Sequence, residues 1–139
     1  LEKGLYYYQG NDFASELVYS VGRLCEPCLE HVDNNFKPLD AIQKGEFADV
    51  TEGITYLLQV CRSRIENNNY DDMDTDIRKA NELNGQLAHL KREELQRIQS
   101  HTGSIKVSMV YLTMVQEAQN VVTYTSNLLK VSRKFQAEE

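Results

Sequence analysis

The residues with the clearest chemical potential are two cysteines near the start of the chain. Cys25, Glu26, Pro27 and Cys28 have the Cys-x-Pro-Cys spacing of dithiol oxidoreductases. That chemistry requires the first thiol at a helix N-terminus, where the helix dipole lowers its pKa. The hydrophobic pattern places the pair inside a helix instead, with Cys28 on the apolar side. We therefore interpret both cysteines as small residues in the core or at its boundary.

Two further residues extend this pair toward a metal site. His31 follows Cys28 by three residues, and Cys61 is the best candidate for a fourth ligand. A structural zinc ion needs four ligands that converge on it as a tetrahedron. The first three candidates would spread over about a third of a helix circumference, so they cannot easily meet at one ion. The sequence therefore predicts no metal and no other cofactor.

Three aspartates form a second candidate for ion binding. Asp72, Asp74 and Asp76 match the first three ligands of a calcium-binding loop, which then needs Gly at its sixth position and Glu at its twelfth. This chain has Ile77 and Leu83 at those positions. We reject calcium binding and expect the acids to stabilise the start of a helix, where the helix dipole is positive.

The remaining sequence contains no catalytic motif. His89 and His101 lack an accompanying Ser or Cys nucleophile that the sequence could reveal. There is no Gly-rich phosphate loop, no nucleophile elbow and no His-Glu-x-x-His motif. The sequence thus predicts a protein that is not an enzyme.

The composition narrows the class of protein further. The 139 residues suffice for one domain with a sizeable core, and their net charge of −6 disfavours binding to a nucleic-acid backbone. No apolar stretch approaches the ~20 residues of a membrane span. Three cysteines fit no disulfide framework and favour a reducing compartment. Because the chain starts at Leu1 and not at Met, we expect a fragment of a longer protein.

The hydrophobic periodicity predicts an all-α fold. Apolar residues recur every three or four positions, and the connections are short, which favours an antiparallel bundle of four helices. We expect the helices at about residues 12–34, 38–68, 72–101 and 104–136. The first should begin at a cap formed by Asn11 or Asp12, and it should be kinked at Pro27, which removes one backbone hydrogen bond.

The fourth helix has the most informative pattern. Its apolar residues form two adjacent stripes, so the helix needs neighbours on two sides. Its polar residues form a narrow uncharged line, here called the polar row: Thr113, Gln116, Asn120, Thr123 and Asn127. We expect the polar row to be a contact patch for a partner; the alternative is a solvated edge.

The first helix has two apolar lines as well. The main one includes Leu17, Leu24 and Cys28, and a second one contains Val18, Leu29 and Phe36. Burial of such a side chain is favourable by about 1.5–3 kcal/mol, so the main line cannot stay in water. We expect this helix to fold back as an antiparallel neighbour of the fourth one, in a protomer with a modest tendency to dimerise.

Four stretches of the last two helices support a family resemblance. Glu82-Leu83-Asn84 and Glu93-Glu94-Leu95-Gln96-Arg97-Ile98 are similar to a Glu-Ile-Asn and Glu-His-Leu-x-Arg-Leu pattern. Tyr111-Leu112-Thr113-Met114-Val115 and Asn127-Leu128 are similar to the residues around a Glu-Arg-Ile-x-Asp-His signature. Together they resemble the PhoU-like cytoplasmic domain at the C-terminus of bacterial sodium/phosphate cotransporters.

The resemblance implies three-helix units, here one complete unit preceded by one helix. In relatives, a Glu-x-x-x-Asp motif on the last helix of a unit can bind metal clusters. At the matching positions this chain has Gln119 and Thr123, and Glu16 and Ser20 in the first helix. Neutral amides and hydroxyls are poor ligands for a hard cation. We therefore expect the fold and the cellular role to carry over, but not the metal site.

The resemblance also implies a function. It is that of a non-enzymatic regulatory domain of a sodium-dependent phosphate transporter, which acts by protein–protein contact on the cytoplasmic side of the inner membrane. The expected partners are the transmembrane part of the same transporter, its other helical repeat, or a second copy in a homodimer. Nucleic acid and direct membrane insertion are not expected. A metal-binding or thiol-based helical module and a generic four-helix interaction domain remain as alternatives.

Overall fold

The computed structural model describes residues 1–33 and 37–138, without the side chains of residue 27 and residues 30–33. All regular structure within this part of the chain is helical. The helices are α1 (Glu2–Asp33), α2 (Ala41–Asn67), α3 (Met73–Gln99) and α4 (Ile105–Ala137). The predicted all-α class and the number of helices are confirmed. The side chain of His31 and the whole of Phe36 lie outside the described residues.

The helix starts follow the local sequence. At the start of α2, Asp40 and Gln43 form a capping box: Asp40 Oδ1 accepts from the Gln43 N–H at 2.8 Å, and Gln43 Oε1 accepts from the Asp40 N–H at 3.0 Å. At the start of α4, Ser104 Oγ accepts from the Val107 N–H. Asp74 and Asp76 lie in the first turn of α3, as predicted. Three of the four helices therefore begin within about three residues of their predicted positions.

Helix α1 begins at Glu2, ten residues before the predicted start near Asp12. Asn11 and Asp12 can cap a helix, but here they lie inside one. The cause is packing between α1 and α4. A Cβ atom at Gly10 would lie 3.6 Å from Val131 Cγ1, and the Tyr7 and Phe135 rings lie 6.4 Å apart. These contacts outweigh the local preference for a helix end, and α1 also continues as one helix through position 27.

Helices α2, α3 and α4 contact one another and enclose the main core. Tyr111, Val115 and Val122 of α4 are fully buried there against Leu87 of α3 and Leu57 of α2. A smaller apolar cluster of Cys61, Met73 and Leu129 packs near the loop between α2 and α3. These three helices pack together as one three-helix unit.

Helix α1 is added to this unit through α4 alone. Among the described residues, its backbone comes close to no other helix. Lys3 Nζ lies 4.8 Å from the centre of the Phe135 ring, and Arg23 Nε lies 3.3 Å from Glu117 Oε1. Because the start of α1 lies beside the end of α4, the two helices are antiparallel. Leu17 packs against the main core, so the predicted fold-back of α1 onto α4 is confirmed.

Candidate contact surface on the fourth helix

The polar row lies along α4 in the strip between α1 and α3. Thr113, Gln116 and Thr123 are exposed, and Asn120 and Asn127 are half-buried. The strip stays open because α1 and α3 both contact α4 but, within the described residues, do not contact each other. The polar row thus lies on the uncovered side of α4, with α1 to one side and α3 to the other.

Helix α3 holds two residues of the polar row by hydrogen bonds. Lys91 Nζ donates to Gln116 Oε1 at 2.8 Å, and Asn84 Nδ2 donates to Thr123 Oγ1 at 3.2 Å. Within the row, Gln116 Nε2 donates to Asn120 Oδ1 at 3.2 Å. These bonds limit the rotamers that the side chains of Gln116 and Asn120 can adopt.

Helix α1 reaches the polar row through Glu117. Asn120 Nδ2 donates to Glu117 Oε2 at 3.2 Å, and Arg23 Nε donates to both oxygens of the same carboxylate at 3.3 Å. Arg23 Nη2 in turn donates to Ser20 Oγ at 3.0 Å. Together with the bonds from α3, these contacts form a continuous chain of hydrogen bonds from α3 across α4 to α1.

An unsatisfied polar atom lies beside the polar row. Asn84 Oδ1 is buried and is the one such side-chain atom found without a hydrogen-bond partner among the described residues. Exchanging the oxygen and nitrogen of this amide would leave an N–H group buried in its place. An unpaired buried polar group costs about 1–3 kcal/mol, and such groups in native proteins call for an explanation.

The four positions at which the resemblance would place a metal motif lie in different surroundings. Ser20 is fully buried and accepts the bond from Arg23, whose guanidinium also lies 4.0 Å from Glu16. Thr123 is bonded to Asn84 of α3, and Gln119 is half-buried. In the part of the chain that the structure describes, no three His, Cys, Asp or Glu side chains are grouped so that they could hold a metal ion. That the protein is metal-free remains a prediction.

The three cysteines are all free and have different environments. Cys25 is exposed, which differs from the predicted core or boundary position, because α1 packs only against α4 among the described helices and the rest of its circumference is uncovered. Burial, and to a smaller extent Cys25, raises the pKa of the half-buried Cys28, whose Sγ lies 3.4 Å from the Leu24 carbonyl oxygen. Burial raises the pKa of Cys61 to about 11. Both thiols are therefore protonated at neutral pH and are poor nucleophiles.

A buried polar network between α2, α3 and α4 was not predicted from the sequence. Glu94 is fully buried, and its carboxylate accepts from Gln43 Nε2 at 2.9 Å and from Arg97 Nη1 at 2.7 Å. Arg97 Nη2 also donates to Glu46 at 2.9 Å, and the Tyr111 hydroxyl donates to Glu46 at 2.7 Å. One sequence signal exists: Glu94 continues the apolar line of Leu83, Leu87 and Leu90 at helical spacing.

The pKa shifts within this network are typical of a structural role and not of a catalytic one. Burial lowers the pKa of Arg97, but the adjacent carboxylates of Glu46 and Glu94 outweigh it and raise that pKa overall. Burial and the hydrogen bond to Glu46 raise the pKa of Tyr111 far above its usual value. Each charged group thus has an oppositely charged partner, and the phenol keeps its proton. A cavity of about 430 Å³ opens beside Gln43, Glu94 and Arg97.

Two further findings concern membrane crossing and the similarity to known proteins. None of the described helices combines the length and the hydrophobicity that a membrane crossing requires. No family model, curated protein or solved structure matches the chain.

Proposed function

We propose that this chain is a non-enzymatic interaction domain that acts by protein–protein contact through the polar row. The observation that carries the proposal is the open strip of α4 between α1 and α3, where uncharged polar side chains are held by hydrogen bonds to α3 and, through Glu117, are linked to Arg23 of α1. A surface held in place in this way loses little side-chain entropy when a partner binds.

The chemistry of the polar row suits a protein partner. Amides and hydroxyls can both donate and accept, and their desolvation costs less than that of charged groups. The core of a protein–protein interface is correspondingly depleted of charged residues.

The buried reactive groups are consistent with a non-enzymatic role. Glu94, Arg97 and Glu46 satisfy one another inside the bundle, and Tyr111 donates to the same network. Cys61 is buried with a pKa of about 11. Each of these groups is therefore engaged in a structural contact or protonated.

The finer part of the proposal concerns the partner. The resemblance of α3 and α4 to the PhoU-like domain suggests the transmembrane part of a sodium/phosphate cotransporter, or its other helical repeat. The domain would then lie on the cytoplasmic side of the inner membrane and regulate or scaffold phosphate transport. This part of the proposal rests on the sequence patterns alone.

The experiment that tests the proposal uses two matched threonines. Thr113 of the polar row and Thr55 of α2 are both exposed, and each hydroxyl donates to the carbonyl four residues earlier, at 3.0 and 2.9 Å. Binding to the detergent-solubilised membrane part of a bacterial sodium/phosphate cotransporter would be measured for Thr113→Lys and Thr55→Lys. The expected result is binding that Thr113→Lys weakens at least about tenfold and Thr55→Lys leaves unchanged. Binding that is equal in both variants would contradict the role of the polar row, and absence of binding would contradict the partner.

A further inference from the structure

The surface of α1 that faces away from α4 is unusually apolar. Fourteen large hydrophobic residues are exposed among the described residues, and eight of them lie on α1 or at Leu1 directly before it. Tyr8, Val18, Tyr19 and Leu29 are between 64% and 71% exposed, and Leu5 is 55% exposed. We call these five residues, with the small residues between them, the outer face of α1.

The outer face has the spacing of a helix that packs against another helix. Tyr8, Ser15, Gly22 and Leu29 recur every seven residues, and Val18 lies three positions after Ser15. A seven-residue repeat keeps one seam directed toward a partner helix over many turns. From Leu1 to Leu29 the seam is about 42 Å long, since an α-helix rises 1.5 Å per residue. Its small residues leave room for a close approach, because a Cβ atom at Gly4 or Gly22 would meet no other atom within 4 Å.

The total exposed area indicates how large a missing contact would be. The chain exposes 8720 Å². A compact monomer of 16.0 kDa is expected to expose about 7400 Å², so the excess is about 1300 Å². A stable protein–protein interface buries about 800 Å² on each partner, which is less than this excess. The exposed area of the chain as a whole therefore exceeds that of a compact monomer by more than one partner of a stable dimer buries.

We propose that the outer face of α1 binds the same face of a second copy of this chain, with the two α1 helices antiparallel about a two-fold axis near Ser15. The charges on the face favour this orientation. A parallel pair would place Asp12 against Asp12 and Glu26 against Glu26, and like charges at short distance repel. An antiparallel pair separates both pairs of acids and places the large Tyr8 near the partner's Gly22. A two-fold contact is self-complementary, so one face suffices to form it.

This dimer goes beyond the proposed function and leaves it intact. The outer face and the polar row lie on different helices, and Leu17, Ser20 and Arg23 on the opposite side of α1 are engaged with α4 and the core. A second copy on the outer face would therefore leave the polar row open to its own partner. The failure of one proposal does not imply the failure of the other.

The association state of the purified chain provides the first test. Sedimentation velocity over micromolar to millimolar concentrations should show a species of twice the 16.0 kDa mass. Val18→Lys should weaken dimerisation at least about tenfold, because it places two charges at the centre of the interface. The control is Ile42→Lys, since Ile42 on α2 is 63% exposed and Val18 is 70% exposed. Circular dichroism confirms that both variants keep their helix content. A wild type that is monomeric throughout, or a dimer that survives Val18→Lys, would overturn the proposal.

The native Cys25 tests the orientation. In an antiparallel dimer the two Cys25 thiols lie about 30 Å apart, so mild oxidation of the wild type should give no covalent dimer. The double variant Tyr8→Cys/Gly22→Cys should form disulfides between the two copies, because these two positions lie seven residues on either side of Ser15 and face each other across the seam. A covalent dimer of the wild type that Cys25→Ser removes would show parallel helices and contradict the proposed geometry.

Discussion

Glu94 is a fully buried side chain at the centre of the interior polar network. Its carboxylate is fully buried and is held by Gln43 and Arg97, and Arg97 in turn reaches Glu46. A buried charge without such partners would cost several kcal/mol. The network therefore fixes the relative positions of α2 and α3 at the end of the bundle where α2 begins.

A substitution at this position should destabilise the fold strongly. We expect Glu94→Ala to lower the free energy of unfolding by about 3 kcal/mol, because Arg97 and the amide of Gln43 lose their acceptor in the interior. The adjacent Glu93 is the control, since its side chain is 44% exposed and lies 3.9 Å from His89. Glu93→Ala should cost less than about 1 kcal/mol in the same urea titration. Equal losses in the two variants would contradict the structural role of the network.

The buried thiol of Cys61 predicts how stability depends on pH. Burial raises its pKa from 9.0 to about 11, so the folded state holds this proton more tightly than the unfolded state does. The contribution of Cys61 is fully present below pH 9 and is lost as the pH rises toward 11, by at most about 2–3 kcal/mol.

Urea titrations at several alkaline pH values measure this loss. The decline should become smaller in Cys61→Val, where nothing titrates at that position. Cys25→Ser, at an exposed position, should keep the full decline. If Cys61→Val loses stability with the same slope as the wild type, the buried thiol is not the cause.

At the scale of single elements, α1 and α4 form a long antiparallel pair, and α4 also contacts α2 and α3. The sequence predicted this arrangement because α4 has two apolar stripes and the main apolar line of α1 has to be buried. It did not predict the start of α1. Gly10, Asn11 and Asp12 are poor helix formers, and the packing of this part of α1 against Val131 and Phe135 of α4 explains why the helix continues through them.

Gly85 and Gly53 test how local packing changes the stability effect of replacing a helical glycine by alanine. A Cβ atom at Gly85 of α3 would meet no other atom within 4 Å, so Gly85→Ala should raise the free energy of unfolding by about 0.5–1 kcal/mol. A Cβ atom at Gly53 of α2 would lie 3.1 Å from Leu83 Cδ1, so Gly53→Ala should gain less or lose stability. Thermal unfolding of both variants measures the difference. A gain at Gly53 as large as that at Gly85 would show that α2 and α3 are not packed this closely.

At the scale of the whole molecule, the chain is a three-helix unit with one helix attached to one of its members. The all-α class, the number of helices and the polar row could be predicted from the sequence, because each follows from the spacing of residues within one helix. The hydrogen bonds that link the polar row to Asn84 and Lys91, and through Glu117 to Arg23, could not be predicted, since they join residues far apart in sequence. Glu46 and Arg97 were missed for the same reason.

The whole protein should also be free of metal. Gln119 and Thr123 are neutral side chains and therefore poor ligands for a hard cation, and Thr123 is already bonded to Asn84. Elemental analysis of the purified protein should therefore find no stoichiometric iron, zinc or manganese. Addition of these ions should leave Tm unchanged, because an ion that binds only the folded state would raise it. A reproducible rise of Tm with micromolar metal would contradict this prediction.

Photo-cross-linking from the polar row is the most direct test of the central claim that this row is a protein contact surface. A photoreactive residue at Thr113, with the same residue at Thr55 as control, would be used in complexes with the membrane part of a sodium/phosphate cotransporter. The account predicts a covalent adduct with that partner from position 113 and none from position 55. Adducts from position 55, or from neither position in a complex that does form, would place the contact elsewhere and contradict the account.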